Sequence, residues 1–193
     1  MTLGVSGFGA FASPDYVMEA MSRKFKEQNT PRDLTIVSGV APGDFVEDGC
    51  GLSKIKDEGI IKTLIASHLR MSPAIGRACS ENKIAAFSMP LGVYGQLMNA
   101  IGGKRPGIIT HVGLNTYADP RQDGCKMNEL AKTDGREMVE LIHVSGKDYL
   151  FYKAFHIDAC ILHASYADTE GNISLQNEPV HGDLLELALA VHN

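Results

Sequence analysis

The pattern of apolar and polar positions divides the chain into short buried runs and longer amphipathic stretches. Short apolar runs predict β-strands at residues 3–7, 34–39, 84–89, 107–113 and 158–164. Apolar residues at helical spacing predict α-helices at residues 14–27, 59–67, 73–82, 93–100 and 183–192. Strands that alternate with helices at short range are typical of a parallel sheet flanked by helices.

Residues 138–155 depart from this alternation. Two extended runs, 138–144 and 149–155, flank Ser145-Gly146-Lys147-Asp148, which is a turn sequence typical of a β-hairpin. The pattern therefore predicts an α/β fold with an open, mostly parallel sheet flanked by helices and a small antiparallel excursion. A chain of 193 residues is long enough for one domain with a sizeable core, so we expect a single domain over residues 1–193.

Composition and charge exclude several classes of protein. Hydrophobic residues make up 44% of the chain and charged residues 21%, which argues against disorder. No apolar run approaches the roughly 20 residues of a membrane-spanning helix, and the first residues lack the basic and apolar regions of a secretory signal. We therefore expect a cytoplasmic protein that spans no membrane. A net charge of −5 provides no overall basic surface for nucleic acid.

Neither the cysteines nor the histidines are spaced as metal ligands. The four cysteines form no C-x-x-C pair, so we expect reduced and mostly buried thiols. The seven histidines include no H-E-x-x-H motif and no pair at helical spacing, so no metal site is predicted. The chain also lacks a G-x-S-x-G elbow and a Walker loop.

The most informative stretch is residues 84–96, where a buried strand ends at Pro90 and a helix follows. In open α/β sheets, ligands bind outside the carboxyl ends of the strands, which is where this elbow would lie. Gly92 would let backbone N–H groups approach a bound oxygen, and the helix would direct its positive end at negative charge. The alternative is that Pro90 and Gly92 only make a connection.

A glycine-bearing loop also follows the first predicted strand. Gly7-Phe8-Gly9 superficially resembles a dinucleotide fingerprint, but Ala12 stands where G-x-G-x-x-G requires its last glycine, and no acidic partner is evident downstream. The alternative is a plain turn capped by Ser13 before the helix that Pro14 begins.

Five segments in order resemble the family I coenzyme A transferases, in particular the α half of the acetate/propionate and acetoacetate type. They are Ser6-Gly7-Phe8 with Pro14, residues 113–121 with Gly124, Lys126, Asn128 and Glu129, and residues 149–155, 166–173 and 190–193. The second segment, Gly-Leu-Asn-Thr-Tyr-Ala-Asp-Pro-Arg, is similar to the family's G-x-G-T-F-x-D-P-R segment. The resemblance covers nearly the whole chain.

The resemblance implies an exchange of coenzyme A between an acyl-CoA and a carboxylic acid through a glutamyl-CoA thioester. Coenzyme A is then a substrate, and no tightly bound cofactor is expected. The nucleophilic glutamate of the family lies in a β half, so the implied partners are the two substrates and a β half as fused domain or separate subunit, in a homo- or hetero-oligomer. The implied substrate-binding residues are Gly7, Phe8, Pro90, Leu91, Gly92, Gln96, Gly113 and Thr116.

Three features depart from the family pattern. Leu91 replaces the glutamine of the usual Pro-Gln-Gly or Ser-Gln-Gly, so that amide donor is lost or moved to backbone N–H groups or to Gln96. No glutamate here lies in the family's Glu-x-Gly context, and Glu170-Gly171 falls in a predicted turn, so we expect no catalytic residue in this chain. A helix and strand before the glycine segment and a strand after residue 193 are also missing, so we expect a domain incomplete at both ends.

Two other functions remain open from the sequence. A non-catalytic homologue that binds an acyl-CoA or a carboxylate would be consistent with Leu91. A ribose-phosphate or glucosamine-phosphate isomerase would share the expected topology, since fold does not determine function, but the chain shows no evident phosphate cradle.

Overall fold

Five parallel strands form the central sheet of the computed structural model, which describes residues 1–191. The elements are β1 (Thr2–Val5), α1 (Asp15–Gln28), β2 (Leu34–Ser38), β3 (Ile61–Ala66), α2 (Pro73–Ser80), β4 (Ala85–Ser88), α3 (Leu91–Gly102), β5 (Gly107–Thr110), α4 (Glu129–Thr133), β6 (Val139–Val144), β7 (Lys147–Lys153), β8 (Ala159–Ile161), β9 (Tyr166–Ala167), β10 (Ile173–Ser174) and α5 (Leu184–Ala190). The sheet has the order β4-β3-β2-β1-β8, and every neighbouring pair is parallel. The carboxyl ends of its strands therefore share one edge.

Alternate residues of the strands supply the cores on the two faces of the sheet. Val37 and Phe87 pack with α3 and α5 on one face, whereas Ile36 and Ala86 pack with α1 and α2 on the other. Because both faces are covered, β2 and β4 are buried along their whole length. This arrangement confirms the predicted open, mostly parallel α/β fold.

One predicted helix is a strand. The spacing of apolar residues predicts a helix over residues 59–67, but residues 61–66 form β3 in the interior of the sheet. Lys62 is the only exposed residue of β3. A strand buried on both faces is apolar at nearly every position, so helical spacing is met there by coincidence.

The predicted strand at residues 107–113 belongs to a different sheet. β5 pairs antiparallel with β7, which also pairs with β6, to form a three-stranded sheet beside the main one. The free edge of β4 is covered instead by residues 125–127, since Ser88 N–H donates to the Cys125 carbonyl and Met127 N–H to the Ala86 carbonyl, at 2.8 and 2.9 Å. That cover leaves no place for a further parallel strand at β4.

The hairpin and the last helix agree with the sequence pattern. Ser145 and Gly146 join β6 to β7 with φ of 51° and 77°, the positive values that a tight hairpin turn requires. The last predicted helix begins at Leu184, and its predicted end at His192 lies outside the described residues, as do the last two residues of the motif at 190–193. Within residues 1–191, no helix has the length and apolarity to cross a membrane.

Candidate functional site

A cleft of about 230 Å³ opens where the parallel strands end. Its walls come from the segments after β1 and β2, from the first turns of α3, and from the residues before α5. The lining residues are Gly7, Phe8, Gly39, Val40, Leu91, Tyr94, Gly95, Gly182 and Asp183. The cleft therefore lies at the position where open α/β sheets bind ligands.

The first wall is the loop after β1. Gly7 is buried with φ of 135°, and a Cβ added there would lie 2.8 Å from Cβ of Pro42, so only glycine fits without a shift. The N–H of Phe8 donates to the Phe11 carbonyl, and the N–H of Phe11 donates back, which fixes the loop in a tight turn. Phe8 is 45% exposed at the mouth of the cleft. Ser13 does not cap α1, because its hydroxyl donates to the Asp15 carboxylate.

The second wall is the start of α3. The N–H groups of Val93 and Tyr94 both donate to the Pro90 carbonyl, at 2.9 and 3.0 Å. The N–H groups of Leu91 and Gly92 have no acceptor in the part of the chain that the structure describes. These two amides and the positive end of the 12-residue helix are available to an oxygen that carries negative charge.

The floor of the cleft contains two polar side chains that no local sequence pattern indicates. Tyr94 is fully buried, and neither its hydroxyl nor Oδ2 of Asp183 has a partner at good hydrogen-bond geometry within residues 1–191. Burial, and then the negative charge of Asp183, raises the pKa of Tyr94. Burial also raises the pKa of Asp183, although the Tyr94 hydroxyl opposes that change.

Gly39 allows these two side chains to reach the cleft. A Cβ at Gly39 would lie 2.8 Å from Oδ2 of Asp183 and 3.1 Å from the Tyr94 ring. Neither Tyr94 nor Asp183 stands out in the sequence, because Tyr94 has the spacing of a core residue in a helix and Asp183 is remote along the chain. A glycine directly after a buried strand was the only available signal.

The structure brings together some of the predicted site residues. Gly7, Phe8 and Leu91 line the same cleft. Pro90, Gly92 and Gln96 lie beside it on the elbow and on α3 but are not lining residues. Their role stays a prediction.

Gly113 and Thr116 lie in the loop that follows β5 and not among the residues of the cleft. The Thr116 hydroxyl donates to the Gly113 carbonyl at 2.8 Å, and a Cβ at Gly113 would lie 2.3 Å from the Tyr152 hydroxyl. Both residues therefore contact the loop itself or β7, and substrate binding by them stays a prediction.

A buried carboxylate organises that loop. Asp119 accepts hydrogen bonds from the backbone N–H groups of Asn115 and Arg121 and from the Arg121 guanidinium, at 2.7 to 3.0 Å. The side chain of Asp119 is fully buried, whereas that of Arg121 is 44% exposed. Arg121 and the backbone donors hold the pKa of Asp119 well below its usual range. The Asp-Pro-Arg motif therefore has a structural role in this protein.

Two other grooves are less suited to substrate. A cavity of about 180 Å³ lies between α2 and residues 55–61, at the amino end of β3, which is the opposite edge of the sheet. A groove of about 520 Å³ along α1 is lined mainly by charged residues, among them Lys54, which pairs with Glu19. Neither contacts the carboxyl ends of the strands.

The described residues show no metal cluster and no activated thiol. No group of three or more histidine, cysteine or acidic side chains within residues 1–191 is placed to hold a metal ion. The four cysteines are free, and burial raises the pKa of Cys79 to about 11 and that of Cys125 to about 12. These thiols are protonated at neutral pH and are poor nucleophiles.

The sequence matches the family described as "Coenzyme A transferase" over residues 1–192. It is 38% identical over 192 residues to the caffeate CoA-transferase of Acetobacterium woodii, a match that covers 100% of this chain and 36% of that protein. It is also 29% identical over 168 residues to a probable coenzyme A transferase subunit alpha of Bacillus subtilis, covering 87% of this chain and 62% of the relative.

The fold gives the same result. The chain superposes with a TM-score of 0.92 and 35% identity on the acyl-CoA transferase YdiF of Escherichia coli O157:H7 in a thioester complex with CoA, covering 99% of this chain and 36% of that one. The chain thus spans about a third of the length of YdiF and of the caffeate enzyme. The chain belongs to the coenzyme A transferase family and is of the α-half type that its motifs predict.

Proposed function

We propose that this chain is the α half of an enzyme that moves coenzyme A between an acyl-CoA and a short-chain carboxylic acid. The observation that carries this proposal is the cleft at the carboxyl ends of the strands, which Gly7 and Phe8 line together with Leu91. Leu91 begins α3, where the N–H groups of Leu91 and Gly92 have no acceptor within residues 1–191. A largely apolar cleft beside donors for a developing oxyanion suits an acyl group in transfer.

The proposed reaction is a ping-pong exchange. A glutamate oxygen attacks the thioester carbonyl, the C–S bond breaks, and CoA leaves as the thiolate, which gives an acyl-glutamyl anhydride. The thiolate then attacks the glutamyl carbonyl and releases the first acid as a carboxylate. A second acid takes the CoA from the glutamyl thioester by the same two steps in reverse.

The contribution of this chain is to bind the acyl group and to stabilise charge. Each step places negative charge on a carbonyl oxygen, and removal of one donor aimed at such an oxygen costs roughly 3 to 4 kcal/mol in other acyl-transfer enzymes. Leu91 has no side-chain donor, so in this proposal the backbone N–H groups of Leu91 and Gly92 act on the oxygen.

In this proposal the nucleophile comes from a β half, as a fused domain or a separate subunit. Glu170-Gly171 is a poor candidate, because it lies in the exposed turn between β9 and β10. That turn is organised by Asp168, which accepts from the N–H groups of Glu170 and Asn172 at 2.9 and 2.8 Å. The proposal therefore assigns no catalytic glutamate to this chain, and the domain of residues 1–193 functions only with its β half.

Covalent trapping tests the proposal. The complete protein, this chain with its β half, is incubated with acyl-CoA and then with borohydride or hydroxylamine, and its peptides are analysed by mass spectrometry. We expect one glutamate outside residues 1–193 to be reduced or converted to a hydroxamate, and only after exposure to acyl-CoA. Acyl-CoA binding without a modified glutamate or CoA exchange would instead support the non-catalytic homologue, which the family match does not favour.

Leu91→Gln tests the position of the missing amide. We expect the variant to increase kcat of the complete enzyme, because a side-chain amide next to the Gly92 N–H adds a donor for the oxyanion. Leu91→Met is the matched control, since it has a similar volume and no strong donor. Unchanged or lower kcat in Leu91→Gln, with Leu91→Met active, would show that the cleft does not use a donor at this position.

A further inference from the structure

We propose that the cleft between the Gly7-Phe8 loop and α3 holds the carbon chain of the acid, and that Gly95 determines the length of chain it admits. This inference rests on the proposed CoA transfer and assigns a specificity-determining residue to it. Two observations carry it: the position of Gly95 in α3 and the open space next to it in the cleft.

Gly95 occupies a position where the fold itself would favour alanine. It lies in the second turn of α3, with several helical residues on each side. Glycine inside a helix is unfavourable relative to alanine, because it loses more backbone entropy on folding. A close neighbour that excludes a Cβ would explain its presence, as the Tyr94 ring and Asp183 do at Gly39. Within residues 1–191, Gly95 has no such neighbour.

A Cβ on Gly95 would enter open space. No heavy atom among the described residues lies within 4 Å of that position, and Gly95 is a lining residue of the cleft. The direction in which a side chain would grow is therefore into the cleft and not into the core. The hydrogen in place of a side chain leaves free volume in the cleft that Leu91 and Tyr94 also line.

The part of the space that this chain lines is small. Its volume of about 230 Å³ lies below the usual range of pockets for drug-sized ligands and matches an acid of a few carbon atoms. A methyl group on Gly95 would shorten the cleft by about one methylene, and a valine side chain would block more of it. Substitution of Gly95 should therefore change the preference between acids of two and four carbons.

The test compares acetate, propionate and butyrate as CoA acceptors in the complete enzyme, with one common acyl-CoA donor. We expect Gly95→Val to lower the kcat/KM for butyrate relative to acetate by about tenfold or more, since one methylene in an apolar pocket changes kcat/KM by roughly 10- to 200-fold. Gly95→Ala should shift the ratio in the same direction by less. Its melting temperature should not fall, because alanine favours the helix.

Lys24→Val is the control, because it places the same β-branched side chain on the exposed face of α1, away from the cleft. It should leave the butyrate-to-acetate ratio unchanged. An unchanged ratio in both active Gly95 variants would overturn the inference and leave the CoA transfer intact. An unmodified enzyme that transfers CoA to none of the three acids would overturn the proposed function and, with it, this inference. If Gly95→Val does not fold, the ratio measured with Gly95→Ala decides.

Discussion

Gly7→Ala is expected to lower the kcat/KM of CoA transfer by about 100-fold, because displacement of a substrate-positioning element by about 1 Å has an effect of that size. A side chain at Gly7 is strained at φ of 135°, and its Cβ would collide with Pro42 at 2.8 Å. The loop must shift to relieve both, and it carries Phe8 with it. The measurement is steady-state CoA transfer by the complete enzyme together with its melting temperature.

Gly9→Ala is the matched control in the same loop. Gly9 also has a positive φ, of 63°, but an added Cβ would contact only the flexible end of Met71, at 3.4 Å. We expect a cost of about 1–2 kcal/mol in stability from the left-handed backbone, with activity close to that of the unmodified enzyme. Near-normal transfer by a folded Gly7→Ala variant would contradict a role for this loop in the site.

Asp119→Asn is expected to have the second large effect, on stability. The buried carboxylate accepts two backbone and two guanidinium hydrogen bonds, and an amide cannot accept them all. We expect a loss of about 2 kcal/mol in the free energy of unfolding, within the range for hydrogen bonds to charged groups. The measurement is denaturant or thermal unfolding of the complete enzyme near neutral pH.

Asp148→Asn is the control for this prediction, since Asp148 pairs with the same Arg121 but at the surface, at 3.3 Å. Exposed ion pairs contribute about 0–1 kcal/mol, so the control should be nearly neutral. Equal losses from the two variants would show that the burial of Asp119 does not matter.

The stability difference between the unmodified protein and Asp119→Asn should also depend on pH. The folded protein holds the pKa of Asp119 below its usual range, so unfolding favours proton uptake by this carboxyl group. Its contribution is therefore fully present above the unfolded pKa, near 4, and is lost as the pH falls through the acid range below that value. We expect the difference to shrink between about pH 5 and pH 2. A constant difference in stability over that range would contradict a lowered pKa of Asp119 in the folded protein.

The sequence determined the layered α/β architecture and the two parts of the cleft where a local residue sets the backbone direction. Buried apolar runs that alternate with amphipathic stretches can pack only as a sheet covered on both faces, which explains the success at β2, β4 and α3. Glycine at residue 7 and proline at residue 90 mark abrupt changes of backbone direction, and both changes lie at the cleft. These features depend on residues near one another in the chain.

The tertiary structure decided what depends on distant residues. β3 is a strand because it is enclosed by β2 and β4, whereas its apolar spacing also fits a helix. β5 joins the antiparallel sheet because residues 125–127 already occupy the edge of β4. The polar floor of the cleft exists because Asp183 approaches Tyr94 across Gly39. In each case the deciding contact joins segments far apart in sequence, and local spacing holds no information about it.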